Sequence, residues 1–338
     1  MKVAVLGATG LVGREMLAVL EQRDFPVDEL VPLASARSAG RKLSFRGGEW
    51  TVREVSESAF EGVQLALFSA GSEASRQWAP VAASQGAVVI DNSSAWRMDP
   101  AVPLAVPEVN PHVLQKHRGI IANPNCATIQ ALVALFPLHR EADLESFNAV
   151  TFQSVSGTGA AALEELREGS EAFLSGKAFQ PKVYPCPIAF NAIPQIGSFD
   201  EEGISQEEWK MVNESRKILE LQDLSVSCTT VRVPVFRGHS EAITARFRKP
   251  LSPERAREIL RNAPGVILLG GGAPEVYPTA LDVPGTDAVA VGRIRRDTGS
   301  NRGLALWVVA DNLRKGAALN AVQIAEKLIS NGGLKRTF

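Results

Sequence analysis

Cys126 stands in "GIIANPNCATIQALVAL", residues 119 to 135, between an Asn-Pro-Asn turn and an apolar run with helical spacing. A thiol at a helix N-terminus meets the positive end of the dipole and unpaired N–H groups. These stabilise a thiolate and could hold an oxyanion formed when sulfur attacks a carbonyl. A lone cysteine on an apolar helix is more often a small core residue, but two polar amides and a proline-set turn are poor company for that. A nucleophilic thiol also needs a proton partner. Among four histidines, His112 and His117 lie in the polar stretch "NPHVLQKHRG" and His139 follows "LFPL" at a helix end, settings that suit the surface or a cap. His239, in "VRVPVFRGHSEA", falls at a glycine turn between two strands, where a side chain projects into a cleft or simply into water.

A second motif opens the chain. Gly7-Ala8-Thr9-Gly10-Leu11-Val12-Gly13 joins the strand-like "KVAVLG" to a stretch in which Leu11, Met16, Leu17 and Leu20 recur at helical spacing. Glycines at the first, fourth and seventh places remove Cβ atoms, so that a pyrophosphate can approach the helix N-terminus. They would equally serve a tight turn that packs helix on sheet. An NAD-specific site usually carries an acidic residue at the end of the second strand, about 20 residues on. Here "LASARSAGRK" offers Ser35, Arg37 and Ser38 and no carboxylate, which suits the 2′-phosphate of NADP as well as it suits a solvated loop.

The elements that must position these residues follow from length and texture. A chain of 338 residues points to about two domains. With 45% hydrophobic and 22% charged residues the composition is that of an ordinary globular protein, and a formal charge of −1 gives no electrostatic case for nucleic acid or an anionic membrane. No membrane span or signal peptide is expected, and three widely spaced cysteines without a CxxC fit neither a disulfide framework nor a metal site, so a cytoplasmic setting is expected. Strand-like runs at "ELVPLAS", "VQLALFSA" and "AVVIDNS", with the helical "SRQWAPVAASQ" among them, predict a doubly wound parallel sheet over residues 1–125. Beyond Cys126 the runs "SFNAVTFQSVSG", "VSCTTVRVPVF", "EAITARFRKP" and "LALWVVADN", with helices near 160–173 and 253–262, predict a mixed sheet in a second α/β domain over 126–311. A closing amphipathic helix within 312–338 is expected to complete the first domain.

"GATGLVG", "SAWRMDP", "VPEVN", "NPNCATIQ", "FQSVSGTG", "EEWKMVNESRKIL", "VRVPVFRGHSEA" and "DNLRKGAALNAVQIAE" run in order from residue 6 to residue 326, and together the chain resembles bacterial aspartate-semialdehyde dehydrogenases. The resemblance implies a Rossmann NADP domain and a second domain carrying much of the site and a dimer interface. It implies interconversion of aspartate 4-semialdehyde and 4-aspartyl phosphate with NADP and inorganic phosphate. Cys126 would be the nucleophile and His239 the acid/base. Gln153 would orient a thioester, Arg232 would clamp the substrate carboxylate and Glu207 would face its ammonium. Arg97, Asn125 and Lys210 would take phosphate. The cofactor would be held by Gly7, Thr9, Gly10, Leu11, Val12, Gly13, Ser35, Arg37, Ser38, Ser156, Gly157 and Asn312. A homodimer is implied, with a tetramer as the further alternative. Ala127 departs from relatives that have serine after the cysteine. Cys186 and Cys228 match no catalytic motif. Two competing readings are another cysteine-dependent acyl-phosphate reductase, such as N-acetyl-glutamyl-phosphate reductase, and a non-catalytic NADP-binding regulator. An acidic residue at 207 favours a free amino acid over an acetylated one.

Overall fold

The computed structural model of the chain describes residues 1–271 and 273–334. It divides into one unit formed by Met1–Asn125 with the segment from Ala317 onward, and a second formed by Cys126–Gly316. Residues 335–338, the tail of the segment expected to complete the first domain, lie outside the described residues. Among the described residues no helix is long and apolar enough to cross a membrane.

In the first unit the elements run β1 (Lys2–Leu6), α1 (Leu11–Gln22), β2 (Glu29–Ala34), β3 (Lys42–Phe45), β4 (Gly48–Thr51), β5 (Arg53–Glu54), β6 (Leu65–Phe68), α2 (Ser72–Ser84), β7 (Val88–Asp91) and β8 (Ile120–Ala122). Six of these strands form one parallel sheet in the order β5-β2-β1-β6-β7-β8. Both faces of β1 are covered, as the unbroken apolar run requires. Val3 and Val5 point to a core shared with Met16 and Leu20 of α1 and with Ile324 and Leu328 of the C-terminal helix Leu319–Ser330. Ala4 and Leu6 point to the opposite core with Phe60, Phe68, Ala79 and Ala82. The strand order reverses between β1 and β6, so the crevice where a doubly wound sheet takes its ligand opens at the ends of those two strands. The antiparallel hairpin β3–β4 is an addition that the residue pattern had not suggested.

The second unit starts with α3 (Cys126–Ala142), followed by β9 (Leu144–Gln153), α4 (Ala160–Leu174), α5 (Gln206–Leu219), β10 (Ser225–Arg232), β11 (His239–Phe247), α6 (Pro253–Arg261), β12 (Val266–Leu268), β13 (Val289–Arg296) and β14 (Gly303–Ala310). The sheet is mixed, as expected, in the order β10-β9-β11-β14-β13-β12. The outer pairs β10–β9 and β12–β13 are parallel and the inner pairs antiparallel. Every residue of α3 from Ala127 to Leu135 is buried, which is why that run is apolar on all sides. Strand β13 escaped the sequence reading for a physical reason. Its register shifts between Gly292 and Arg295, and Arg293 takes φ of 51°, so a bulge interrupts the alternation on which strand prediction depends.

Candidate active site

The glycine motif lies at the reversal point of the parallel sheet. Gly7 follows β1 with φ of +86°, and a Cβ there would sit 2.3 Å from the Ser69 carbonyl oxygen just beyond β6. A Cβ at Gly13 would lie 2.2 Å from the Gly7 carbonyl oxygen, so only glycine lets α1 close onto the turn. Gly10 is the N-cap of α1, contributes no side-chain cap and is followed by no acidic residue in the first turn. The helix therefore offers uncapped N–H groups to an anion, which fits a dinucleotide pyrophosphate. Thr9, Leu11 and Val12 stand half-buried on the same turn. Ser35, Arg37 and Ser38 occupy a short 3-10 turn after β2, with Ser35 and Arg37 exposed and no acidic side chain within Ala36–Ser38. Arg97 is buried, its Nε donating to the Asn123 carbonyl at 3.0 Å and its Nη2 to that of Asn92 at 2.7 Å, so the ends of β7 and β8 fix its guanidinium. Asn125, also buried, directly precedes Cys126.

In the second unit Cys126 is the first residue of α3, partly exposed and in no disulfide. The other candidate side chains of this unit come from the C-terminal ends of β9 and β10 and the start of β11. Gln153 and Arg232 are register partners across the parallel pair. Gln153 Nε2 donates to Glu207 Oε1 at 3.2 Å, and Glu207 also pairs with Lys210 at 2.8 Å, since a three-residue spacing on α5 puts the two on one face. Arg232 is buried and donates from Nη1 to the Ser154 carbonyl at 2.6 Å.

Of the two settings open to His239 from its sequence, a cleft or water, burial excludes water: it is the first residue of β11, directly after Gly238, and it is fully buried. The Ser154 backbone N–H donates to its Nδ1 at 3.1 Å, and Ser154 Oγ stands at 3.1 Å from the same nitrogen. Burial, reinforced by the Arg232 guanidinium and opposed only in part by Glu207 and a hydrogen bond with the Gly238 backbone, pulls its pKa down to about 3. Ser156 and Asn312 brace this corner. Asn312 Nδ2 donates to Ser156 Oγ at 2.9 Å, while its Oδ1 accepts from the Gly238 N–H at 2.9 Å. Gly157 lies over the ring, and a Cβ there would come within 3.4 Å of His239 Nε2 and 3.2 Å of Arg232 Nη1. A thiol at a helix start, a buried imidazole, an amide, a guanidinium and a carboxylate are thus gathered in one unit. That set can form and cleave an acyl–sulfur bond on a small zwitterion.

Residues 2–117 match the family model of the semialdehyde dehydrogenase NAD binding domain, and residues 135–315 that of the semialdehyde dehydrogenase dimerisation domain. An aspartate-semialdehyde dehydrogenase of Aquifex aeolicus is 54% identical over 336 residues, covering 98% of each chain. The chain belongs to the aspartate-semialdehyde dehydrogenase family. Its fold superposes on aspartate-semialdehyde dehydrogenase II of Vibrio cholerae, solved in complex with ASA, with a TM-score of 0.95 at 48% identity over 98% of both chains. The Candida albicans enzyme solved with NADP is more distant, with a TM-score of 0.77 at 25% identity over 98% of this chain and 99% of that one. Membership sets aside the related acetylated-substrate reductase as the better description.

Three features of this family member escaped the sequence reading. Gly316 lies in a π-turn, Arg314–Ala318, whose backbone passes so near the thiol that a Cβ at 316 would stand 2.7 Å from that of Cys126. Asp311 accepts from Arg237 Nε at 2.9 Å and from the Gly285 N–H at 2.7 Å, tying down the loop beside Asn312 and Gly238. Ser154 holds His239. Only "RGHS" and "ADN", charged turns at strand ends, carried any signal of this bracing.

Proposed function

We propose that the chain oxidises L-aspartate 4-semialdehyde to 4-aspartyl phosphate, reversibly, with NADP and inorganic phosphate through a thioester on Cys126. The observation that carries the reading is the cluster of Gln153, Glu207, Arg232 and His239 in the same unit as a thiol that starts a buried helix. Cys126 sulfur adds to the aldehyde carbon, and His239 acts as the acid/base. Loss of hydride leaves a thioester, whose carbonyl Gln153 orients. Arg232 takes the α-carboxylate in a fork and Glu207 the ammonium, so a free amino acid is read by opposite charges at its two ends. The phosphate role is assigned to Arg97 and Asn125 and, separately, to Lys210. Phosphate oxygen then attacks the thioester carbon and the thiolate leaves. NADP, when bound, supplies the hydride acceptor. Gly7, Gly10 and Gly13 make room for its pyrophosphate, and Ser35, Arg37 and Ser38 meet its 2′-phosphate. The cofactor role is also assigned to Ser156, Gly157 and Asn312 of the second unit. A homodimer formed through that unit is the expected assembly.

Formation of NADPH from aspartate semialdehyde, measured with and without phosphate, tests the reading. Steady turnover should require phosphate, and turnover without it would end the acyl-phosphate assignment. For the cofactor, Arg37→Asp with Ser38→Ala should weaken NADP by about a hundredfold while changing NAD little, because the carboxylate repels a 2′-phosphate and accepts from a 2′-OH. Titration of both dinucleotides checks this. An unchanged preference would place recognition of the 2′-phosphate elsewhere.

A further inference from the structure

We propose that Glu241 is a positioning residue, a carboxylic acid that closes a cyclic pair of hydrogen bonds with the side-chain amide of Gln130 and so holds the helix of Cys126 against the strand of His239. The inference deepens the thioester reading above and rests on it for the effect on turnover. Alternate residues of β11 point to one side of the sheet, so Glu241 lies one pleat along from His239 on the same face. Its register partner on β9 is Thr151, which pairs in turn with Thr230 of β10. Together they form a buried polar row next to that of Gln153 and Arg232. Gln130 enters from α3, four residues after Cys126 and therefore on the same face of the helix, one turn further along.

The atoms left unmatched specify the pair. Gln130 Nε2 donates to the His239 carbonyl at 3.4 Å, which fixes the nitrogen end of the amide and occupies one of its two N–H groups. Gln130 Oε1 and both carboxyl oxygens of Glu241 are buried without a hydrogen-bond partner among the described residues, although the amide stands beside the carboxyl. A primary amide presents an N–H and a C=O side by side, and a carboxylic acid presents an O–H and a C=O in the same way. Joined edge to edge, the Glu241 O–H donates to Gln130 Oε1, and the second Gln130 N–H donates to the other Glu241 oxygen. Every orphaned oxygen of the two side chains is then matched, and the first N–H stays on the His239 carbonyl. A carboxylate could accept the N–H but would set a negative oxygen against Gln130 Oε1.

The surroundings favour the protonated form. Glu241 is fully buried, and no cation is paired with it among the described residues. Burial holds its pKa well above the usual carboxylate range, opposed by the Gln130 amide. From β10 it is faced by Cys228, whose thiol is pushed up by burial first and then by the acidic side chains Glu241, Glu208 and Glu207, and so carries no charge near neutral pH. Thr151 on β9 and Val308 on β14, its register partners, are uncharged. His239 is two residues away on its own strand. A neutral acid paired in this way avoids the cost of a buried charge. It also joins α3 to β11 through a planar contact, one turn from the thiol and one pleat from the imidazole, so the separation of those two groups is set below them.

The acid can be seen without turnover. The infrared difference between the full-length protein and its Glu241→Gln variant should contain the C=O stretch of a protonated carboxylic acid, shifted in deuterated water and unchanged between about pH 5 and 8, although an ordinary glutamate titrates near about 4.3. A carboxylate band in its place overturns the proposal. In the semialdehyde assay Glu241→Leu, which fills the space and removes the hydrogen bonds, should lower kcat by about tenfold to a hundredfold, the scale of a slightly misplaced reacting group, with both KM values within about twofold. Glu241→Gln, whose amide can pair with Gln130 in the same edge-to-edge way, should keep at least about half of the original kcat with the pH profile unchanged, since no proton leaves the acid. Gln130→Leu should resemble Glu241→Leu, and the double leucine variant should be within about twofold of the worse single one, because either change alone breaks the pair. Effects that multiply, an unimpaired Glu241→Leu, or a Glu241→Gln variant as slow as Glu241→Leu would each overturn the positioning role. If a leucine variant does not fold, Glu241→Gln and the infrared band still decide. If the unsubstituted protein does not turn over semialdehyde at all, the proposed function fails, while the infrared band still decides the state of the acid.

Discussion

Cys126→Ala loses turnover by about 10⁴-fold or more, the scale set by removal of a covalent nucleophile from other enzymes, and still binds NADP. The two effects separate because they arise in different parts of the chain. The thiol begins α3 in the second unit, whereas the glycine turn belongs to the first. Alanine at a helix start keeps the backbone N–H groups and the good helix propensity of the site, so the fold has no reason to fail. Steady-state NADPH formation and a dinucleotide titration on the same preparation check both halves. Substantial activity in this variant would remove the thioester from the reaction. Loss of NADP binding together with activity would mean a damaged protein instead of a missing nucleophile.

The paired substitutions Arg232→Lys and Arg97→Lys should separate two anion sites. Arg232 reaches the Ser154 carbonyl with Nη1 while its Nε is buried without an acceptor among the described residues, so the guanidinium can hold the backbone and still present a second edge to a carboxylate. A lysine ammonium cannot do both. The KM for semialdehyde should rise about tenfold to a hundredfold, the equivalent of one charge-assisted hydrogen bond, with kcat also falling because the Ser154 carbonyl loses its partner beside His239. The KM for phosphate should change little. Arg97→Lys should do the reverse. Its guanidinium is held by the carbonyls of Asn92 and Asn123, and lysine loses that fixed orientation. The thioester forms before phosphate is needed, so a single-turnover burst of NADPH should survive in Arg97→Lys while steady turnover collapses. Rapid mixing followed by steady-state rates reads both phases. Equal effects on both KM values, with no burst, would overturn the assignment of the two arginines.

How much of this was legible in the residue order depends on the range of each interaction. The glycine turn could be read directly, because it demands a short strand, a missing Cβ at fixed intervals and a helix, all within 22 residues. Cys126 could be read for the same reason, since a turn and a helix start are local. The pairing of Glu207 with Lys210 needed only helical period. The mixed character of the second sheet was visible in its long β-rich runs, yet β13 was not, since a bulge at Gly292–Arg295 removes the periodicity.

Residue types and spacing thus determined the regular elements of both sheets, β13 and the β3–β4 hairpin apart, the nucleotide-type turn and the thiol at a helix start, because each depends on neighbours along the chain. The state of His239 was decided only by tertiary structure. From its sequence neighbours it is a histidine after a glycine, free to face water. In the fold, Phe152 beside Ser240 across β9 and β11 places Ser154 next to the ring, 85 positions away in sequence, and Asn312 arrives from 73 positions beyond the histidine. Tautomer and charge depend on which groups surround a ring and whether water can reach it. Those are properties of packing between distant segments, and no local pattern encodes them.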